Sequence, residues 1–378
     1  MARTKRPVTP TAPTSPAAAG LVGDPVGDLE VVGGVATHTD TPTAAGIDTA
    51  GRLLGHATVP ATGPGYAQLL GWLLGFGRLL LVGIEGTGAY GSGLAAHLRG
   101  QGVAMVEVDR PDRKARRLQG KSDPVDAEAA ARAALAARAT GSPKDRDGAV
   151  EAVRVLRVAR RSGVEQRADV QRQIKALVVT APEPLRDRLR DLRDKQLLVT
   201  CARLRPDTAR LHEPSEATKH ALRTLAQRHA QLTEEITGLD VHLATLVEQI
   251  NPALLELKGV GVDVAGQLLV TAGENSERLR SEPAFAMLCG VAPLPASSGR
   301  TQRHRLNRGG DRQANRALYL VVLCRLRWDP RTRAYAERRT AEGLSKKEII
   351  RCLKRLIARE IYYVLRPTTI TESAPQAA

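Results

Sequence analysis

The sequence predicts an α/β domain with a mixed sheet, then a long helical region, then a mostly helical C-terminal domain. Three observations predict it. Short apolar runs separated by turn residues fill the first 110 positions, strand signals vanish between 150 and 250 where a heptad repeat takes over, and basic charge gathers in the last fifth. A chain of 378 residues has room for two or three domains with ample core.

Residues 1–28 are rich in Pro, Thr, Ala and Gly and read as a disordered tail. A first strand fits 29–37. Two more fit 43–48 and 52–60, joined by the turn Asp48-Thr49-Ala50-Gly51. A helix follows at 65–76. Residues 79–85 are a continuous apolar run ending in Glu85, the pattern of a buried parallel strand. A helix at 91–99, a strand at 103–109 and an Ala-rich helix at 124–137 complete a domain spanning 29–147. Periodicity alone supports α/β with a mixed sheet. A three-strand meander followed by alternating helices and strands is the order of an RNase H-like (RuvC-like) fold.

Residues 148–250 are charged and helical. Leu222, Leu225, His229, Leu232, Ile236, Leu239, Leu243, Leu246 and Ile250 alternate by three and four, an apolar seam for coiled-coil pairing within the chain or with a second protomer. His229 interrupts it and reads as a seam residue. A C-terminal domain spans 251–366. Its Lys258-Gly259-Val260-Gly261 turn resembles a helix-hairpin-helix element, whose amides can bind phosphate, or else a helix start packed in the core. Ser345 and Glu348 form a capping box. Beyond them Ile349, Ile350, Leu353, Leu356, Ile357 and Ile361 make an apolar face, opposite Arg351, Lys354, Arg355 and Arg359. Residues 367–378 read as a second disordered tail.

The net charge is +16 and the pI near 10.2, which favours a polyanionic partner, nucleic acid before membrane. Residues 300–366 hold 19 Lys and Arg against 6 Asp and Glu, so the C-terminal domain is the expected phosphate-contacting surface. Arg300, Arg303, His304, Arg305, Arg308, Arg312 and Arg316 are its candidate contacts. Cys201, Cys289, Cys324 and Cys352 are far apart in sequence and read as reduced thiols. No apolar run approaches the ~18 residues of a membrane span, so a soluble, cytoplasmic protein is expected.

Two constellations could carry chemistry. Glu85 ends an apolar strand, where ligands of open α/β sheets collect. Asp123 and Asp126 are three apart at a helix start and share a face. Such carboxylates suit Mg²⁺, and phosphodiester cleavage commonly uses a pair of metal ions. Helix-start preferences offer a second reading: Asp123 as N-cap, Pro124 as first helical residue, Asp126 against the helix dipole. The other constellation is the loop 293–300, where Ser297 and Ser298 precede Gly299 in an electropositive setting. It reads as a nucleophile or as a plain polar loop.

The sequence resembles the DEDD transposases of the IS-one-ten insertion-sequence family, the bridge-RNA-guided recombinases, over about residues 29–366. The resemblance rests on V-V-G-G-V-A-T-H near the start, G-I-E-G-T-G-A-Y at 83–90, K-S-D-P-V-D-A at 121–127 and K-G-V-G at 258–261. It continues with C-G-V-A-P-x-P-A-S-S-G at 289–299 and N-R-G-G-D-R-Q-A-N-R-A-L-Y at 307–319. It implies a RuvC-like domain, a coiled-coil insert and a C-terminal transposase domain. It implies an active site in which Glu85, Asp123 and Asp126 bind Mg²⁺ and Ser298, with Ser297 as the fallback, attacks DNA. It also implies insertion-sequence DNA and a non-coding guide RNA as partners, and a dimer or tetramer assembled through the coiled coil.

The chain departs from the family at the first acid, where it has Gly34-Val35-Ala36-Thr37-His38-Thr39-Asp40. Asp40 does not substitute, because four residues along a strand span roughly 13 Å. Three readings follow: a transposase of this lineage impaired at Ala36, an inactive nucleic-acid-binding descendant, or a junction-resolving nuclease.

Overall fold

The computed structural model describes residues 29–108, 122–138, 141–275, 278–300 and 304–366. The tails expected at 1–28 and 367–378, and Arg303, lie outside the described residues. The chain forms two compact units, 1–143 and 144–378.

The first unit is a five-stranded sheet with helices on both faces. β1 (Glu30–Ala36), β2 (Thr43–Asp48) and β3 (Leu53–Thr58) form the antiparallel meander. After α1 (Gly63–Leu74), β4 (Arg78–Glu85) returns parallel to β1. After α2 (Ser92–Gly100), β5 (Met105–Val108) lies parallel to β4, giving the order β3-β2-β1-β4-β5. Val31, Val35, Val82 and Ile84 point to one face and pack with Leu69 and Leu73 of α1 and Leu94 and Leu98 of α2.

The other face carries α3 (Asp123–Leu135), and two glycines explain how. A Cβ on Gly34 of β1 would overlap the Ala127 carbonyl and the Ala131 backbone. One on Gly83 of β4 would sit 2.6 Å from the Ala130 carbonyl. The helix answers with Ala127, Ala130, Ala131 and Ala134, all buried. Sheet and helix meet backbone to backbone. α3 begins one residue earlier than expected: Ser122 is its cap, Asp123 is already helical, and no side chain caps the end. The N-cap reading of Asp123 is therefore corrected.

The second unit is helical. α4 (Ala149–Thr180) runs antiparallel to α7 (Pro214–Ile250), with the short α5 (Glu183–Leu189) and α6 (Asp194–Ala202) between them in sequence. The expected seam is filled within the chain. Leu222 and Leu232 cluster with Val170, Ile174 and Val178, while Leu243 and Val247 cluster with Val150 and Val153. Gly163 of α4 lets Ile236 approach closely.

There follow α8 (Ala253–Glu256), α9 (Val262–Ala272), α10 (Glu282–Leu288), the two-residue strands β6 (Leu294–Pro295) and β7 (His304–Arg305), α11 (Arg312–Trp328), α12 (Pro330–Ala341) and α13 (Lys346–Leu365). Leu268, Phe285, Leu318, Val322, Leu353 and Ile361 share one core with the base of the α4–α7 pair. Asp263 on α9 pairs with Arg157 and Arg160 of α4, and Arg160 also grips Asp240 of α7. The start of α4, capped only by Gly148, borrows the Glu274 carboxylate, which accepts from Gly148 N at 3.1 Å and Val150 N at 2.9 Å. Gly259, at φ +82°, rests on Cys324 and Arg325 of α11, and Arg325 donates to the Lys258 carbonyl.

The Ser345–Glu348 capping box forms as expected, but the apolar face of α13 is rotated from the expected one. Leu356 is 48% exposed and Lys354 is buried. α13 packs against both α10 and α11, and the side facing α11 includes position 354. The four cysteines are unbridged; burial pushes the Cys201 thiol up to about 11.

Candidate functional site

In the parallel ladder Val35 of β1 pairs with Ile84 of β4, so Ala36 and Glu85 are the next neighbours across it. Alternation turns both toward the face that α3 covers. The N-terminus of α3 lies at that strand edge, because Ala127 packs directly on Ala36 and Ala45. Asp126, one residue before Ala127, is buried, Glu85 is half-buried, and Asp123 is exposed. Glu85 and the helix start that carries Asp123 and Asp126 thus belong to the same sheet face as Ala36. Asp40, in the β1–β2 connection, is exposed.

The donor chemistry at this edge is that of a Mg²⁺ site: carboxylate oxygens on a rigid sheet and a helix start. The number of donors is not. Among the described residues no three Asp, Glu, His or Cys side chains gather as a metal-holding group. Ala36, packed among Ala45 and Ala127, contributes no donor there. As the residues stand, they do not fit a two-ion centre.

Ser298 belongs to the second unit. β6 and β7 pair Leu294 with Arg305 and Pro295 with His304, and the chain between them carries Ser297 and Ser298, both exposed. Gly299 adopts φ +55° with open space around it, so the turn there needs glycine for its backbone and not for packing.

The stem of this hairpin is held by polar side chains. Gly310, at φ +82°, fits against the carbonyls of Met287 and Leu288, where a Cβ would collide. Asp311 caps α11 by accepting from Gln313 N and Ala314 N, and Thr271 donates to its other oxygen at 2.7 Å. Asn315 donates from Nδ2 to the Cys289 carbonyl at 3.0 Å and the Gly290 carbonyl at 2.9 Å. Its Oδ1 accepts from the buried Lys354 ammonium at 2.8 Å. Lys354 faces an amide in place of a carboxylate, and burial, with Arg351 nearby, holds its pKa below the ordinary lysine value. Sequence reasoning missed Asn315 and Lys354 as structural partners; the only signal was that Asn315 is one of three uncharged amides in the run 307–319.

Arg300, His304, Arg305, Arg308, Arg312 and Arg316 are all exposed. None forms an ion pair among the described residues, unlike the internally paired Arg157, Arg325 and Arg355. Unpaired exposed guanidinium groups are free to meet phosphate.

Two family models match the chain in order. One, a DEDD transposase model described as "Transposase", covers residues 34–181; the other, "Transposase IS116/IS110/IS902 family", covers residues 251–337. The chain belongs to the IS110 family of transposases. The chain is similar to the insertion element IS110 uncharacterized 43.6 kDa protein of Streptomyces coelicolor, 32% identical over 154 residues, or 40% of this chain and 38% of that protein. The insertion element IS900 42 kDa protein of Mycobacterium paratuberculosis is 27% identical over 159 residues, 39% of this chain and 40% of that protein. The matched stretch thus spans about two fifths of each relative. The DEDD match includes Ala36, Glu85, Asp123 and Asp126, and the second includes Ser298 and the 307–319 run. Among the described residues no helix of this IS110-family chain is long and apolar enough to cross a membrane.

Proposed function

We propose that this chain is a transposase acting on insertion-sequence DNA, with guide-RNA pairing supplying sequence choice, and that Ala36 impairs its strand cleavage. The observation that carries the reading is the exposed Ser297–Ser298 hairpin with unpaired arginines on both of its flanks. Arg305, Arg308, Arg312 and Arg316 hold the DNA backbone. The Ser298 hydroxyl oxygen attacks a DNA phosphorus, an O–P bond forms, and the P–O3′ bond breaks. The released 3′ oxygen takes up a proton, and the 5′ phosphate stays on serine. Strand exchange reverses the step on a new 3′ hydroxyl. Mg²⁺ belongs to the acid edge once a carboxylate stands at position 36; its chemistry there is stabilisation of phosphoryl charge.

A second reading is favoured by one observation. Ala36 is packed with Ala45 and Ala127 as an ordinary core residue, which suits a descendant that keeps its grip on nucleic acid and has lost cleavage.

The test compares the chain as given, Ala36→Asp, and Ala36→Asp with Ser298→Ala, in Mg²⁺ with target DNA and the RNA that co-purifies with the protein. Cleavage gained by the first substitution and lost with the second supports the transposase reading. DNA binding without cleavage in all three supports the second reading. A covalent adduct that survives Ser298→Ala removes Ser298 as nucleophile, and Ser297→Ala is then the decisive variant.

A further inference from the structure

The chain is poor in aromatic residues, with 6 Tyr, 2 Phe and 2 Trp, and in the first unit most of them serve the core. Tyr66, Trp72 and Phe76 pack against the cluster beneath the sheet, and Trp72 meets Phe76 edge-on at 5.0 Å. Tyr90 does not follow this rule. It is 60% exposed, and its ring lies near-parallel to that of the exposed His38, with centroids 6.4 Å apart and planes 23° apart.

The two rings come from the loops that follow β1 and β4, the strands ending at Ala36 and Glu85. Those loops are tied together beneath the rings. Thr37 Oγ1 donates to the Glu85 carbonyl at 2.8 Å. Gly86, at φ +73°, and Gly91 approach Thr37 so closely that a Cβ on either would lie 3.0 Å from it. The 86–91 loop closes on itself through Ala89 N and Gly91 N, both donating to the Gly86 carbonyl. An exposed aromatic pair on a pinned base has little conformational entropy left to lose when a flat partner covers it.

We propose that His38 and Tyr90 form a stacking platform for an unpaired nucleobase beside the acid edge, so that the first unit takes up nucleic acid as an opened strand. This rests on the reading of that edge as facing DNA. A centroid separation of 6.4 Å is at the wide end of direct ring contact, so the exposed ring faces keep area to offer. Stacking on an aromatic side chain is indifferent to base identity, because every base has a π-face. The platform therefore selects strand state and not sequence, as a guide-dependent enzyme requires.

The experiment uses the full chain and a set of single strands, each carrying 2-aminopurine at one internal position, as DNA and as RNA, with the matching duplexes. Binding of the parent quenches the probe in single strands. Tyr90→Ala loses the quenching and weakens single-strand binding by roughly five- to 150-fold at constant salt, the worth of one stacked base. Tyr90→Trp retains both, and duplex binding changes little. Quenching confined to DNA or to RNA names the strand that supplies the base. Parent-like quenching and affinity in Tyr90→Ala, or an equal loss on single strands and duplex, overturns the platform. Because the readout is binding, it stands apart from the cleavage test. Cleavage by Ala36→Asp with no effect of Tyr90→Ala sinks only the platform, and loss of quenching without any cleavage sinks only the transposase reading.

Discussion

The acid edge and the serine hairpin present chemical groups by opposite constructions. The acid edge rests on steric fit. Gly34 and Gly83 let α3 touch the sheet backbone, and alanines fill what space is left. The serine hairpin rests on polar bonds. Asp311, Asn315, Thr271 and Lys354 each hold a specific donor or acceptor, and around Gly299 there is open space. A steric construction tolerates the loss of a functional group but not added bulk. A polar one tolerates bulk at its tip but not the loss of a partner in its stem.

The largest expected effect tests the first half of that contrast. Ala36→Asp raises Mg²⁺-dependent cleavage by about a hundredfold or more, since one stabilising contact in a transition state is worth about that much. The same variant sharpens the point in a second way. Without metal its melting temperature falls below that of the parent, because a carboxylate now lies among Ala45 and Ala127. Mg²⁺ restores it, and the parent gains much less from the ion. Equal Mg²⁺ responses in both proteins would place the ion elsewhere.

Gly34→Val follows. The new side chain has no space against Ala127 and Ala131, and the first unit loses about 3 kcal/mol or more in urea unfolding. Unchanged stability would mean that α3 can lift without cost, and the steric account of the acid edge would fail. In the hairpin stem, Asn315→Ala strips donors from two carbonyls and the acceptor from Lys354, at a cost of about 1 to 3 kcal/mol. Combined with Lys354→Met the losses are less than additive, since both act through one bond. Full additivity would break the link drawn between them.

The smallest effect lies in the α4–α7 seam, whose apolar repeat is interrupted by His229. Burial, and then Arg167, hold the His229 imidazole below its ordinary value. The unfolded chain therefore binds the proton more readily than the folded one. This contribution to stability is full above the unfolded value of about 6.5 and is lost as pH falls below it. His229→Leu flattens that part of the melting-temperature profile. A slope that persists unchanged assigns the titration to another group.

How legible these features were in the sequence depended on range. β1 to β5 were readable because apolar runs end at turn residues such as Asp48-Thr49-Ala50-Gly51, and the capping box of α13 because it is local. The start of α3 was misread by one position, since Asp123 and Ser122 are both good caps and only the backbone decides. Gly34 and Gly83 gave no hint of their partner, because a glycine inside a strand announces close approach without saying to what. Lys354 was placed on the polar face because helical periodicity knows nothing of α11 beside it. Glu85, Asp123 and Asp126 stood out by type and spacing, whereas Ala36 is conspicuous only through the family resemblance. His38 and Tyr90 end two of the family-like runs, but their pairing on the surface carried no sequence signal, because exposure is a property of the fold.

The contact between Gly34 and α3 also sets a length scale. With helix and sheet backbones touching, the gap between Ala127 and the strand edge is as narrow as polypeptide allows. A helix packed this closely leaves a carboxylate on its first turn little distance to cover. The helix accordingly bears aspartates, at 123 and 126, while the sheet bears the longer glutamate at 85. Reach, and not charge alone, is what the exchange Asp126→Glu would alter.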